Sequence, residues 1–193
     1  MVWIQEISHA PSPALRWSTL DLRAGRIAQA AFVFDMNRLF EEFVAEFLLR
    51  HVRRIPLPGG VRLSRVHARH FVGKLFGEFE LRPDLRLVFD GGREVLLDTK
   101  YKVLHAGEPR GGLSQADFYQ MFAYARGDRE RFDDVVLLYP RAVVDTRTYA
   151  NRPDGPRVHV RTLDLRAIFD PRRGAVDERG ALKEFGRALS LRD

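Results

Sequence analysis

Two acidic side chains and one lysine give this sequence its clearest chemical signal. Asp84 follows a proline in the short run at residues 82–87, and Asp98 and Lys100 close the apolar run at residues 95–101. Because side chains alternate along a strand, Asp98 and Lys100 project from the same face. Two carboxylates and an ammonium group on one sheet face can hold a hard divalent cation and orient water against a phosphate. The pattern therefore predicts a metal-dependent nuclease site.

The use of lysine supports this interpretation. The chain has 32 lysines and arginines, and only positions 74, 100, 102 and 183 are lysines. A compact ammonium group can approach a nucleophilic water more readily than a guanidinium. A plain salt bridge between Asp98 and Lys100 at the end of a strand is the structural alternative. Asp84 on the preceding strand makes that alternative the less favoured one.

Bulk properties restrict the class of protein. A chain of 193 residues with 45% hydrophobic content suits one domain with a real core. No apolar run approaches the ~20 residues that span a bilayer, and no secretory signal opens the chain. The absence of cysteine excludes disulfides, zinc-thiolate sites and cysteine nucleophiles. We therefore expect a cytoplasmic protein without membrane contact.

The charge balance indicates the kind of partner. The formal net charge is +6 and the sequence pI is about 10.0. A basic protein favours polyanions, and DNA is the simplest such partner.

Periodicity predicts a first helix over residues 30–52 with Asp35 near its N-cap. Its apolar stripe would comprise Met36, Leu39, Phe40, Phe43, Val44, Phe47 and Leu48. Strands near 82–90 and 93–104 flank Asp90-Gly91-Gly92, a hairpin signal. Because Gly91 lies midway between Asp84 and Asp98, antiparallel pairing would bring the two carboxylates together.

A second helix is predicted from the N-cap Ser114 to about Arg126, with Asp117 completing a capping box. Its predicted buried stripe is Phe118, Met121, Phe122 and Ala125, and the opposite stripe is Asp117, Gln120 and Tyr124.

The remaining predicted elements are strands near 135–140 and 158–163 and a helix over 178–191. Residues 61–81 fit either strands or an extended arm. Asp133-Asp134 is predicted to be a turn rather than a second metal site. The fold class is α/β, with a mixed central sheet flanked by helices. We expect an N-terminal segment at 1–29 and one domain at 30–193.

Four segments resemble, in order, the PD-(D/E)xK nuclease superfamily, and most closely its McrC-like branch, a component of 5-methylcytosine restriction systems. Residues 36–43 resemble the helix that opens that domain. Residues 82–84 and 97–102 resemble its metal-binding strands, and residues 117–125 resemble the following helix. The resemblance covers roughly residues 32–140 and implies a restriction-endonuclease-like core.

The resemblance implies a role for each matching residue. Asp84 and Asp98 would be metal ligands, and Lys100 would be the catalytic lysine. A glutamate of the first helix would complete the site; we assign it to Glu41, with Glu42 as the alternative. The cofactor would be Mg²⁺ or Mn²⁺, held also by the backbone carbonyl of Thr99. Gln120 and Tyr124 resemble the Gln-xxx-Tyr element of RecB-like nucleases, which supports the site or the substrate strand.

The expected activity is that of a Mg²⁺- or Mn²⁺-dependent endodeoxyribonuclease of restriction or defence type. The alternatives are a nucleic-acid-binding module that does not cleave and a subunit that docks onto a motor. The resemblance implies an McrB-like AAA+ GTPase as partner. We also expect a homodimer, because severing both strands of a duplex requires two such sites or two visits.

Overall fold

The computed structural model of the chain describes residues 34–69, 71–105, 108–141, 146–150, 155–170 and 174–191. The predicted N-terminal segment at 1–29 lies outside the described residues. Within these ranges the helices are α1 (Met36–His51), α2 (Gln115–Ala125), α3 (Leu165–Ile168) and α4 (Glu178–Ala188), with 3₁₀ turns at Pro58–Gly60 and Pro109–Gly112. The strands are β1 (Leu63–Ala68), β2 (Gly73–Leu75), β3 (Phe79–Leu81), β4 (Leu85–Phe89), β5 (Glu94–Thr99), β6 (Asp134–Pro140), β7 (Arg147–Ala150), β8 (Arg157–Leu163), β9 (Phe169–Asp170) and β10 (Ala175–Val176).

A mixed sheet forms the centre of the fold. In the described part of the chain, six strands join in the order β1-β4-β5-β6-β8-β7. The pairs β5–β6 and β6–β8 are parallel, and the other pairs are antiparallel. The predicted α/β class with helices around a mixed sheet is therefore confirmed. Residues 61–81, for which the sequence allowed either strands or an extended arm, form strands. They are β1, which pairs with β4, and the small hairpin of β2 and β3.

Both faces of the sheet are covered by helices. Leu97 packs in a core cluster with residues of α1 and α4, whereas Leu96 packs in a second cluster with Met121 of α2. Every residue of β6 is buried, as expected for a central strand with both faces covered. Asp98 has the same parity as Leu96, so its side chain belongs to the face that α2 covers.

Helix α1 begins later, and buries less, than its sequence pattern predicts. Asp35 is the N-cap and accepts hydrogen bonds from the backbone N–H groups of Asn37 and Arg38. Met36 and Leu39 are 38% and 45% exposed, so the prediction that they lie in the buried stripe is wrong. The contact with the sheet covers only the later turns of the helix, where the buried residues are Phe40, Val44, Phe47 and Leu48.

Helix α2 is rotated from its predicted orientation, so that its inward face combines residues of both predicted stripes. Phe122 is 50% exposed, whereas Tyr124 is buried. Met121 and Ala125 are buried as predicted. The reason is the polar end of β5: the helix lies over Asp98, so a stripe that can donate and accept hydrogen bonds faces inward there.

The N-cap of α1 provides a test of the fold. Replacing Asp35 with alanine is expected to lower the free energy of unfolding by about 1 kcal/mol, because two backbone N–H groups lose their acceptor. Urea unfolding followed by circular dichroism measures the change. Asp35→Asn, which keeps a capping oxygen, is the matched control, and an equal loss in both variants would contradict the assignment.

No helix within the described ranges has both the length and the apolar character required to span a lipid bilayer.

Candidate functional site

The two predicted carboxylates lie opposite each other where β4 begins and β5 ends. The antiparallel register pairs Leu85 with Leu97. Extending this register by one residue places Asp84 opposite Asp98. The turn between the strands contains Gly91 and Gly92 at φ 84° and 82°, a conformation that favours glycine. The symmetric spacing around Gly91 therefore predicts the pairing correctly.

Asp98 is a buried carboxylate in contact with Lys100. Only 2% of Asp98 is exposed, and its Oδ2 accepts a hydrogen bond from the Lys100 Nζ. Burial, followed by the charge of Asp84, raises the pKa of Asp98 to about 7, although the charge and hydrogen bond of Lys100 act in the opposite direction. Two carboxylates thus repel each other next to a single ammonium group, and a further cation would relieve that repulsion.

Asp84 is oriented by the adjacent strand. Its Oδ2 accepts hydrogen bonds from the backbone N and the Oγ1 of Thr99, both at 2.7 Å. Its backbone carbonyl accepts a hydrogen bond from the backbone N of Arg69 at 2.7 Å. The carboxylate therefore has a fixed orientation beside Thr99, whose carbonyl is the predicted backbone ligand.

Glu41 approaches this pair from α1. Burial and then the charge of Asp84 raise the pKa of Glu41, while Arg69 lowers it through a hydrogen bond of 3.2 Å between Nε and Oε1. Glu42 instead accepts a hydrogen bond of 3.0 Å from the Nε of Arg38. The electrostatic coupling to Asp84 favours Glu41 for the predicted role in the site.

Gln120 and Tyr124 connect α2 to the strand that carries Asp84. The Gln120 Nε2 donates to the Tyr124 hydroxyl at 2.7 Å, and that hydroxyl donates to the carbonyl of Arg82 at 3.3 Å. Burial, and then the charge of Asp98, raise the pKa of Tyr124 despite the hydrogen bond from Gln120. The pair thus braces the start of β4, in agreement with a supporting role.

Asp117 belongs to the same polar cluster, which sequence reasoning missed. Its Oδ2 accepts a hydrogen bond of 3.0 Å from the hydroxyl of the fully buried Tyr139 and lies 3.8 Å from the Lys102 Nζ. Its charge also contributes to the raised pKa of Asp98. Ser114 caps the helix as predicted, but the prediction that Asp117 serves only the cap is wrong, because its carboxylate binds Tyr139. Its place on one stripe with Gln120 and Tyr124 was the available signal.

The oxygen donors fit a hard divalent cation. Asp84 and Asp98 provide two carboxylates, and Mg²⁺ is commonly held by one or two carboxylates with waters and substrate phosphates completing its shell. Within the described ranges, no group of three or more His, Cys, Asp or Glu side chains is arranged to hold a metal. The donor set therefore fits a site that also requires substrate and water, rather than a closed protein cage.

A second buried polar cluster lies at the opposite end of β6. The carboxylate of Asp134 accepts hydrogen bonds from Arg93 (2.7 Å), Arg157 (2.8 Å) and His159 (2.7 Å). Burial by itself would raise the pKa of Asp134, but these hydrogen bonds outweigh it and lower the pKa. Asp134 begins β6, so the prediction of a turn is wrong at this residue. This cluster ties β6 to β8 and to the turn that precedes β5.

The mixed sheet, with paired acidic residues at the ends of two neighbouring strands and a lysine two positions later, defines a protein with a restriction-endonuclease-like core. The chain matches the family described as the McrBC 5-methylcytosine restriction system component over residues 15–140. That match covers more than half of the sequence, and the chain therefore belongs to this family. The McrC-like resemblance is confirmed.

A solved structure shows the same fold. It is described as a refined half-complex from the tetradecameric assembly of Thermococcus gammatolerans McrB AAA+ hexamers with bound McrC. One of its chains shares 21% sequence identity with this chain at a TM-score of 0.55. The match covers 83% of this chain and 34% of that chain, so this chain spans about a third of its length. No curated protein matches the sequence.

Proposed function

We propose that this chain hydrolyses DNA phosphodiester bonds and requires Mg²⁺ or Mn²⁺ to do so. The observation that carries the proposal is the meeting of Asp84, Asp98 and Lys100 at the ends of two paired strands. A hard cation bound by Asp84, Asp98 and the Thr99 carbonyl would polarise a phosphate and lower the pKa of a water ligand. Membership of a restriction-system family supports DNA as the substrate.

The protein's own groups have distinct tasks in this proposal. Lys100, held against Asp98, is placed to orient a water or to stabilise the negative charge that develops on the phosphate. Glu41 adds a carboxylate from α1 on the side of Asp84. Gln120 and Tyr124 keep the start of β4 in position, because the Tyr124 hydroxyl, which accepts a hydrogen bond from Gln120, donates to the carbonyl of Arg82.

We further propose that the chain works with an AAA+ partner. The matching solved structure is described as McrC bound to McrB AAA+ hexamers, and this chain shares its fold. A DNA-binding or motor-docking subunit that does not cleave remains the alternative. The buried Asp98 carboxylate beside Asp84 supports cleavage over that alternative. Two carboxylates that repel each other would also repel a phosphate, so a site that only binds phosphate would not require them.

The test is cleavage of supercoiled plasmid DNA with Mg²⁺, with Mn²⁺ or with EDTA, by the chain alone and with an McrB-type AAA+ protein and GTP. We expect metal-dependent nicking or linearisation that Lys100→Arg lowers by at least about 100-fold, because a guanidinium cannot replace the compact ammonium. Lys183→Arg, on the exposed side of α4, is the matched control. Absence of metal-dependent cleavage under both conditions, or full activity of Lys100→Arg, would contradict the proposal.

A further inference from the structure

The hairpin of β2 and β3 carries two exposed aromatic rings. Phe76 is 85% exposed and Phe79 is 63% exposed. Phe76 and Gly77 are the central residues of the turn, at φ 55° and 74°, and a hydrogen bond of 3.2 Å from the Glu78 N to the Leu75 carbonyl closes the turn. Turns with two residues at positive φ normally contain asparagine, aspartate or glycine.

A phenylalanine at this turn is unfavourable in two ways. A bulky residue at positive φ is strained, and an apolar ring remains in water. Strained positions of this kind cluster at sites of ligand binding. The tip of the hairpin therefore has the properties of a surface that a ligand covers.

The base of the hairpin is anchored close to the candidate site. The backbone N of Lys74 donates to the Asp128 Oδ1 at 2.8 Å, and a side chain at Gly73 would collide with the same oxygen. The Val72 N donates to the Leu81 carbonyl at 3.0 Å, which continues the pairing beyond the strands. Since β3 ends at Leu81, only three residues before Asp84, the base of the anchored hairpin lies close to the acidic pair.

Two arginines lie near the base of the hairpin, whereas the tip presents the exposed rings of Phe76 and Phe79 beside Glu78. The guanidinium groups of Arg82 and Arg129 lie 5.3 Å and 5.2 Å from the ring centre of Phe71. Both arginines are exposed, and Arg82 also pairs with the exposed Glu80 at 2.8 Å. Guanidinium groups near an apolar projection match a duplex, in which phosphates bind the cations and an apolar wedge enters a base step.

We propose that the β2–β3 hairpin is a DNA-binding arm, with Phe76 packing against bases next to the cleavage site and Arg82 and Arg129 holding the phosphate backbone. The proposal rests on the proposed function in taking DNA as the ligand. Binding can be measured without cleavage, so the two proposals can fail separately.

The decisive variant is Phe76→Asn, which removes the ring and places a residue suited to the turn. We expect thermal stability to be unchanged or higher, and the Kd for a fluorescein-labelled 30-base-pair duplex, measured by anisotropy in EDTA, to rise about tenfold. Phe76→Trp should retain tight binding because it keeps an aromatic ring. Leu49→Ala, which removes another exposed apolar side chain, is the control and should bind as the unchanged protein does.

A second readout reports the insertion itself. With 2-aminopurine in the duplex, we expect the unchanged protein to raise fluorescence by unstacking the base, and Phe76→Asn not to do so. Equal affinity and equal fluorescence for both proteins would overturn the proposal and indicate that the ring contacts a protein surface. Failure of the unchanged protein to bind the duplex would overturn it as well. If Phe76→Asn weakens DNA binding but the unchanged protein shows no cleavage, the DNA-binding arm is supported and only the nuclease proposal is contradicted.

Discussion

Replacing Asp98 with asparagine is expected to lower the rate of metal-dependent DNA cleavage by at least about 100-fold, because the site loses one of its two strand carboxylates. The same substitution should not weaken the fold in the absence of metal. Burial and the charge of Asp84 both raise the pKa of Asp98, so the ionised carboxylate lowers the stability of the folded protein. Asparagine has nearly the same shape and carries no charge.

Two measurements check this expectation. Plasmid cleavage in Mn²⁺ gives the rate, and thermal unfolding in EDTA gives the stability. Asp90→Asn, in the exposed turn of the same hairpin, is the matched control and should leave both values unchanged. Cleavage that persists in Asp98→Asn would remove Asp98 from the site, and a large drop in melting temperature would assign it a structural role instead.

The largest expected loss of stability belongs to Asp134→Ala. The substitution leaves three donors, Arg93, Arg157 and His159, without the carboxylate that joins them. Removing one member of a buried charged cluster typically costs 3–5 kcal/mol. We expect about 3 kcal/mol, because the two arginine side chains are partly exposed and can regain water, whereas His159 is fully buried.

Urea unfolding of Asp134→Ala, with Asp133→Ala as the control, measures this loss. Asp133 is the exposed neighbour, and its substitution should change the free energy of unfolding by no more than about 0.5 kcal/mol. Similar losses in the two variants would show that the cluster contributes no special stability.

The same cluster predicts a dependence on acid. Because the pKa of Asp134 is lowered in the folded state, the unfolded state binds more protons as the pH falls. The contribution of Asp134 is complete above the ordinary carboxyl pKa of 3.8 and is lost as the pH falls below it toward the lowered value. The difference in unfolding free energy between the unchanged protein and Asp134→Ala should therefore be constant from pH 7 to 5 and shrink below pH 4. A difference that does not change with pH would contradict the lowered pKa.

The acidic hairpin could be predicted because its geometry is local. The turn Asp90-Gly91-Gly92 sets the register of two adjacent strands, and that register alone places Asp84 opposite Asp98. The helix-capping residues could also be predicted from the sequence, since Asp35 and Ser114 bind backbone groups only two or three residues away. Buried strands such as β6 were found from their continuous apolar runs.

The rotation of α2 could not be predicted in this way. An apolar stripe normally faces the core, and Phe118, Met121, Phe122 and Ala125 form such a stripe in the sequence. The sheet surface below α2 ends in Asp98 and contains the hydroxyl of Tyr139, so a helix residue that bonds to that hydroxyl is favoured there. That surface exists only after β5 and β6 have paired, so the stripe that Asp117 shares with Gln120 and Tyr124 could mark it as a candidate but could not show which groups it contacts.

The sequence by itself determined the mixed α/β class, the family and the pairing of Asp84 with Asp98, because each depends on local periodicity or on the spacing across one turn. Only the tertiary structure decided that Glu41 is electrostatically coupled to Asp84, that the charge of Asp117 acts on Asp98, and that Asp134 joins β6 to β8 and to the turn before β5. These contacts link residues 19 to 43 positions apart in the sequence, which strand pairing and helix packing bring together, and no local pattern specifies the contacts themselves.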